Sequence, residues 1–319
     1  MQKTLIEWVK NPDGSQGFTW NPITGCLNHV NGLCKDGGFS CYAYKLAHGR
    51  LNQRYLANLN LANIECKEHY RDLELEPEEM YDPFYPRFWN ERLRELTKRN
   101  DMLWGYDTER TRPKNAKPIG IFLCDMGDLF GIGVPQEWTE KILDEVWGNK
   151  GYDRIYTLTK QGQNLAPWSP FPANCFVGVT ATTQKAHNEA VVALTGIEAK
   201  IKFISHEPLL EHISLHSPYS PEDAYDWDII GACTGRKNEI MQLCERYPEL
   251  TPMPYGTIWT AQPKISWVEE IVRACDKAGI PVFLKDNLMP LIIQQEKLPI
   301  WAMKDWEKLK HFNLRQEMP

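Results

Sequence analysis

The sequence predicts an α/β protein, a parallel (βα) barrel, complete or partial, with one helical and aromatic-rich insertion. Three observations predict it. Short apolar runs recur at Ile119–Cys124, Ile155–Leu158, Cys175–Val179, Ile201–Ile204, Ile229–Ala232 and Val282–Leu284. Bounded runs of this length read as strands buried on both faces, which suits parallel strands covered by helices. Helical periodicity fills intervals between them, and every run hands over to polar or charged residues at its C-terminal end. Active sites of parallel barrels are built at that end.

The elements justify themselves in chain order. Residues 20–44 form a Gly- and Asn-containing loop that carries Cys26, Cys34 and Cys41, three of the nine Cys. After Cys41, the run Tyr42–Leu51 predicts a helix, so this thiol stands where the helix dipole favours thiolate. Glu74–Lys117 is rich in Pro, charge and aromatics, and predicts a helical excursion of the barrel instead of a separate domain. Cys124 leads into Asp125-Met126-Gly127-Asp128. Trp138, Ile142, Leu143 and Val146 then share one helical face. Leu158 leads into Thr159-Lys160-Gln161, Val179 into Thr180-Ala181-Thr182-Thr183, and Ile204 into Ser205-His206-Glu207. Ala232 leads into Cys233-Thr234-Gly235. Val268, Ile271, Val272 and Cys275 line a last helix, with Ser266 and Glu269 as a capping box and Gly279 then Pro281 as its stop. Leu284 leads into Lys285-Asp286-Asn287. Residues 1–319 are thus expected to form one barrel domain.

Composition narrows the function classes. With 42% hydrophobic and 24% charged residues, the chain is not globally disordered. A net charge of −6 excludes bulk basic character, although a local basic groove is compatible with it. No apolar run approaches the ~20 residues needed to cross a bilayer. Glu7 interrupts any leader core, and an odd number of Cys suits a reducing compartment, so a cytoplasmic location without membrane contact is expected. Glycine-rich dinucleotide and P-loop patterns are absent from the sequence.

Three soft thiols in a polar loop leave three readings open. A zinc site would be completed by His29. An iron–sulfur cluster would leave one iron open for chemistry. Unrelated structural thiols are the third. Cys275 lies on an amphipathic face and reads as packing; Cys66, Cys124, Cys175, Cys233 and Cys244 lack a paired spacing and read as core or rim thiols.

Landmarks run in a recognisable order: Trp20–Cys26 (W-N-P-x-T-G-C), Cys41-Tyr42-Ala43, Arg92-Leu93, Phe122–Phe130, Tyr156–Lys160 (a strand ending L-T-K), Val177–Thr180, Phe203–Leu210 (F-x-S-x-E-P-L-L), Asp226–Gly235 and Ala278–Lys285. In these the whole chain resembles the phage- and prokaryote-encoded radical S-adenosylmethionine-like proteins of uncharacterised function, often found beside three-Cys-motif partner proteins. Three departures stand out. Six residues separate Cys34 from Cys41 where the family has two, and this insertion, Lys35–Ser40, is Gly-rich and able to loop out. Cys233-Thr234 replaces the glutamate of G-G-E-S-G. Thr182, Thr183 and Gln184 stand where an acidic residue is frequent.

The resemblance implies a radical S-adenosylmethionine enzyme in which Cys26, Cys34 and Cys41 hold a [4Fe–4S] cluster and the fourth iron binds S-adenosylmethionine. Reductive cleavage would yield a 5′-deoxyadenosyl radical that abstracts hydrogen. It implies Tyr42 near the adenine, Asp125 and Gly127 at the methionyl amino group, and Thr180 and Thr182 at the ribose hydroxyls. Lys160, Glu207 and Lys285 would face substrate or the cofactor carboxylate, each with a rim salt bridge as its alternative. The implied partners are a flavodoxin- or ferredoxin-type electron donor and a three-Cys-motif protein. Phage association and similarity to spore photoproduct lyase point to nucleic-acid modification or repair. The stretch Arg87–Lys117 would then offer phosphate contacts and stacking surfaces, against the alternative of a solvated helical face. A non-catalytic zinc adaptor built on Cys26, His29, Cys34 and Cys41 is the second reading.

Overall fold

The computed structural model describes residues 1–62, 78–104, 116–215, 221–291 and 314–319. Its chain divides into two compact units: Met1–Leu33, Cys41–Val177 and Glu198–Lys200 form the first, and Cys34–Ser40, Gly178–Ile197 and Ile201–Pro319 the second. Both are mixed α/β, and in both the principal strands run parallel.

In the first unit, β1 (Gln2–Lys3), β2 (Phe18–Trp20), β7 (Gly120–Leu123) and β8 (Arg154–Thr159) lie side by side in that order. β2, β7 and β8 are parallel, in register Phe18↔Ile121 and Ile121↔Ile155, while β1 closes the edge antiparallel. The Cys-bearing segment adds β3 (Ile23–Thr24), β4 (His29–Val30) and β5 (Leu33–Cys34), then the short helices α1 (Tyr42–His48) and α2 (Asn52–Leu56). β6 (Arg87–Phe88) pairs antiparallel with β3. Helix α3 (Asn90–Trp104) follows, and α4 (Gln136–Gly148) buries Trp138, Ile142, Leu143 and Val146 as their spacing predicts. Each such side chain contributes about 1.5–3 kcal/mol on burial.

Strand β9 (Cys175–Thr180) runs from one unit into the other, every residue buried. In the second unit α5 (Gln184–Thr195) is capped by Thr183, whose hydroxyl accepts from Ala186 N at 3.3 Å. β10 (Ile201–His206), β11 (Trp227–Ile230) and β15 (Val282–Leu284) are parallel neighbours, in register Phe203↔Trp227 and Asp228↔Val282. Side chains alternate across these strands. Phe203 and Trp227 meet on one face at 5.3 Å between ring centroids; His206 and Asp228 meet on the other.

Three features depart from the sequence expectation. The chain forms an antiparallel sheet of β12 (Cys233–Gly235), β14 (Ile258–Gln262) and β13 (Thr251–Tyr255), with α6 (Lys237–Arg246) between its first two strands in sequence. Pro252 and Pro254 hid β13, yet both are tolerated because β13 pairs on one side only. Helix α7 (Ile265–Ala278) starts one residue before Ser266, so Lys264 is its N-cap and Ser266 makes no capping box; the stop at Gly279 stands, at φ 70°. The excursion is helical in α3 but also contains β6. Its residues 74–77 and 105–115, and Cys66, lie outside the described residues. Among the described residues no helix is long and apolar enough to cross a membrane.

Candidate functional site

In the first unit two of the three loop thiols share one apolar cluster. Cys26 and Cys41 both pack against Ala43, Ala47, Tyr55, Phe84, Trp89 and Met126. The Cys26 turn is fixed by backbone: Gly25 N donates to Met126 O at 2.9 Å, and Cys26 N to Phe84 O at 3.0 Å. Gly25 sits at φ 90°, and a Cβ there would lie 2.5 Å from the Phe84 and Tyr85 carbonyl oxygens, so only glycine fits. Asn28 N points to the Cys26 sulfur at 3.3 Å. Cys41 N donates to Gly32 O, which ties the start of α1 back to the β4–β5 turn. His29 is held by ring contacts to Tyr44 and Phe84, at 5.0 and 5.4 Å, and its Nδ1 accepts from Gly32 N at 3.3 Å.

The ends of β2, β7 and β8 gather the polar residues of this unit. Cys124 takes a left-handed φ of 60°, uncommon for a side chain with a Cβ. That turn carries Asp125 sideways to Asn21, whose Nδ2 donates to it at 2.6 Å; Asn21 Oδ1 in turn accepts from Met126 N at 3.0 Å. The Tyr42 hydroxyl donates to the Asp125 carbonyl oxygen. Tyr42 and Asp125, both expected at the cofactor, are thus brought together across 83 residues of sequence. Gly127 lies against Gly25, with no room for a Cβ (2.8 Å to Gly25 O). Burial pushes the Asp125 carboxyl above its ordinary range, opposed by the Asn21 hydrogen bond. Asp128, deeper still, is raised in the same way, opposed by the Thr159 hydroxyl at 2.9 Å and by the charge of Lys160. Lys160 follows β8 and donates its backbone N–H to Asp128 at 3.3 Å. A cavity of about 230 Å³ opens beside Tyr42 and Asp125.

The second unit holds Cys34 and the remaining candidates. Loop 35–40 is pinned at three points: Thr182 Oγ1 donates to Asp36 O (3.2 Å), Tyr247 Oη to Gly37 O (3.1 Å) and Arg246 Nη1 to Gly38 O (2.8 Å). Thr182 therefore positions the Cys34 loop. Thr180, two residues earlier, is buried with an Oγ1 that has no partner among the described residues, and so is Ser205, whose carbonyl accepts from Ala181 N at 2.9 Å. An unpartnered buried hydroxyl costs about 1–3 kcal/mol. Lys285 and Glu207 pair with each other beside Gly231, where a Cβ would meet both side chains at 3.1–3.2 Å.

Sequence reasoning missed several groups. Asn21 stands in the sequence only as one position of the Trp20–Cys26 motif, although its side chain holds Asp125. His187, His206, Asp228, Tyr225 and Cys275 form a buried chain in the second unit, signalled only by an inward-facing His and Asp on adjacent strands. Two arginines of the excursion are spent on the protein itself. Arg87 is fully buried and donates to four backbone carbonyls, and Arg99 pairs with buried Asp153 at 2.5 Å. Arg87 and Arg99 are neither solvated cations nor phosphate contacts.

Cys26, Cys34 and Cys41 take part in no disulfide among the described residues. Among the described residues no three His, Cys, Asp or Glu side chains stand close enough together to hold a metal ion. No preformed ligand set therefore exists among the described residues for either the zinc or the iron–sulfur reading. The thiols fit an iron–sulfur cluster in donor type, and the orphaned Thr180 hydroxyl fits a ligand hydroxyl.

Comparison with known proteins gives a family. Residues 3–244 match the family described as "Protein of unknown function (DUF5131)". No curated protein matches the chain. Among solved structures, a mutant spore photoproduct lyase with bound AdoMet and dinucleoside spore photoproduct is similar at 12% identity and a TM-score of 0.42, over 86% of this chain and 76% of that one.

Proposed function

The chain belongs to this family of proteins of unknown function, and for it we propose the activity of a radical S-adenosylmethionine enzyme, with Cys26, Cys34 and Cys41 as the thiolate ligands of a [4Fe–4S] cluster. One observation carries the reading. The Cys26 turn and the Asp125–Gly127 turn, a hundred residues apart, are stitched through Gly25 N and Met126 O, and Cys41 packs on the same cluster as both. Two thiols thus share one small region with Tyr42, Asp125 and Gly127. The third thiol is carried by a loop that Thr182, Arg246 and Tyr247 hold in place. Metal binding commonly supplies the free energy that gathers its own ligands, so a set that is not preformed is compatible with the proposal.

Bound there, a cluster and S-adenosylmethionine supply reductive C–S cleavage and hydrogen abstraction. This chain's residues have the other tasks. Tyr42 covers the cofactor's base. Asp125, oriented by Asn21, takes an ammonium group, and an ammonium would draw its raised pKa down towards the charged form. Thr180 spends its unpaired hydroxyl on a ribose oxygen. The test is anaerobic purification with iron and sulfide analysis, followed by dithionite and a search for 5′-deoxyadenosine. A brown protein with absorbance near 400 nm that forms 5′-deoxyadenosine is expected. A colourless protein holding stoichiometric zinc would overturn the reading in favour of an adaptor.

A further inference from the structure

We propose that the cavity beside α1 and α3 in the first unit binds the phosphate of a nucleotide, held by Arg50, Arg54 and Arg92. These arginines line it together with Tyr42, Tyr55 and Asp125. Among the described residues none of the three is ion-paired to a carboxylate; Arg92 donates to Asn21 O at 3.0 Å. Arg92 and Arg54 both lie over the Trp89 ring, at 3.9 and 5.8 Å from its centroid, so two like charges are gathered on one indole. Burial and the neighbouring Arg54 charge both work against the Arg92 cation.

The carboxylates at the cavity do not relieve this. Glu95 is paired with the Met1 ammonium, and Asp125 is held by Asn21 in a buried setting that favours its neutral form. Converging guanidinium groups without a protein anion are complementary to an external one. A carboxylate needs one planar fork, whereas a phosphate presents enough oxygens for several. At about 230 Å³ the cavity is smaller than the ~300–1,000 Å³ of drug-sized sites, which suits a phosphate and its sugar. Among the described residues no cysteine lines the cavity, but Tyr42 and Asp125 do, so the phosphate site adjoins the place proposed for the cofactor, and competition with S-adenosylmethionine separates the two.

The experiment is fluorescence anisotropy of a fluorescein-labelled single-stranded oligothymidylate on the full chain. Competing arms contain thymidine 5′-monophosphate, thymidine, inorganic phosphate or S-adenosylmethionine. Binding displaced by thymidine 5′-monophosphate but not by thymidine is expected. Displacement by the mononucleotide at concentrations near those of the oligonucleotide identifies a free nucleotide as the ligand; a large preference for the oligonucleotide identifies a strand. Arg50→Ala and Arg54→Ala, both exposed and safe for folding, should each weaken binding by about tenfold. The pair together should flatten the log–log salt dependence by about 1.4, two contacts' worth. Arg273→Ala, a surface cation on α7, should change nothing. Wild-type affinity in the double variant overturns the proposal, as does displacement by S-adenosylmethionine alone, which would assign the arginines to the cofactor's carboxylate. Loss of iron in the Cys variants leaves this measurement untouched.

Discussion

His206 Nδ1 stands 2.8 Å from Asp228 Oδ1, and neither side chain reaches solvent. The contact continues in both directions. His206 Nε2 meets His187 Nδ1 at 3.1 Å, while Asp228 Oδ2 accepts from the Tyr225 hydroxyl at 3.0 Å. The chain ties α5 to β10 and β10 to β11 on the face opposite Phe203. His206→Ala removes one partner and leaves Asp228 buried with a missing donor. A loss of about 3–5 kcal/mol is expected, read from urea midpoints at constant slope. A loss below about 1 kcal/mol would mean that the pair does not hold these elements together.

Arg87 tests whether a cation in the excursion serves the fold. Its Nε donates to Asn58 O, Nη1 to the Asp82 and Tyr85 carbonyls, and Nη2 to Met80 O, between 2.6 and 3.1 Å. A lysine cannot occupy four diverging acceptors with one ammonium. Arg87→Lys should cost at least about 2 kcal/mol in thermal or urea unfolding, while the folded fraction keeps wild-type affinity for oligothymidylate. Weaker binding with unchanged stability would return Arg87 to the phosphate contacts.

These two sites mark what was legible in the sequence. Because a strand buried on both faces is written as a local run, four of the six apolar runs lie wholly on strands, while Ile119–Cys124 and Ile229–Ala232 overrun β7 and β11. β2 (Phe18–Trp20) is not legible as a strand, and only its Trp20 belongs to the Trp20–Cys26 motif, since its burial depends on β7 about a hundred residues later. The ends of the strands were legible as polar residues, but their pairing was not. Glu207 meeting Lys285 and Tyr42 meeting Asp125 depend on register and on turns such as Cys124, which a residue type does not encode. Arg87 and Arg99 look like surface charge for the same reason. Their acceptors are carbonyls and one aspartate, distant or featureless in sequence.

The Lys285–Glu207 pair distinguishes a structural ion pair from two ligand-binding groups. Its side chains are 13% and 24% exposed, so solvent screening is partial. A double-mutant cycle of Glu207→Gln and Lys285→Met should give a coupling of about 0.5–3 kcal/mol in unfolding experiments. If the coupling is absent but each single variant weakens binding of S-adenosylmethionine, the two act on the ligand and not on each other.

Asp128 predicts a pH dependence with a definite sign. Burial raises its folded pKa above the ordinary 3.8, so over that interval the folded state binds more protons than the unfolded. Stability from this group therefore rises as pH falls through the raised value and levels off below 3.8. Asp128→Asn cannot titrate and lacks the gain. Urea unfolding at several pH values between about 4 and 7 should move the difference in favour of the wild type on acidification. A difference independent of pH would mean that water reaches Asp128.

The His29 substitution decides between the two metal chemistries. Its ring is packed between Tyr44 and Phe84, and Gly32 N donates to its Nδ1, so its contribution is to the shape of the β4–β5 turn. His29→Ala should lower stability by packing loss, about 1–3 kcal/mol, yet retain iron and sulfide after anaerobic reconstitution. Cys26→Ala, Cys34→Ala and Cys41→Ala should each lose the cluster, because a site that keeps one iron open has no spare thiolate. Cys275→Ala, buried beside Asp228 in the other unit, should keep it. Should His29→Ala lose metal as completely as Cys34→Ala while remaining folded by circular dichroism, the imidazole is a ligand. The four-ligand zinc site would then replace the open cluster, and the radical chemistry would fall with it.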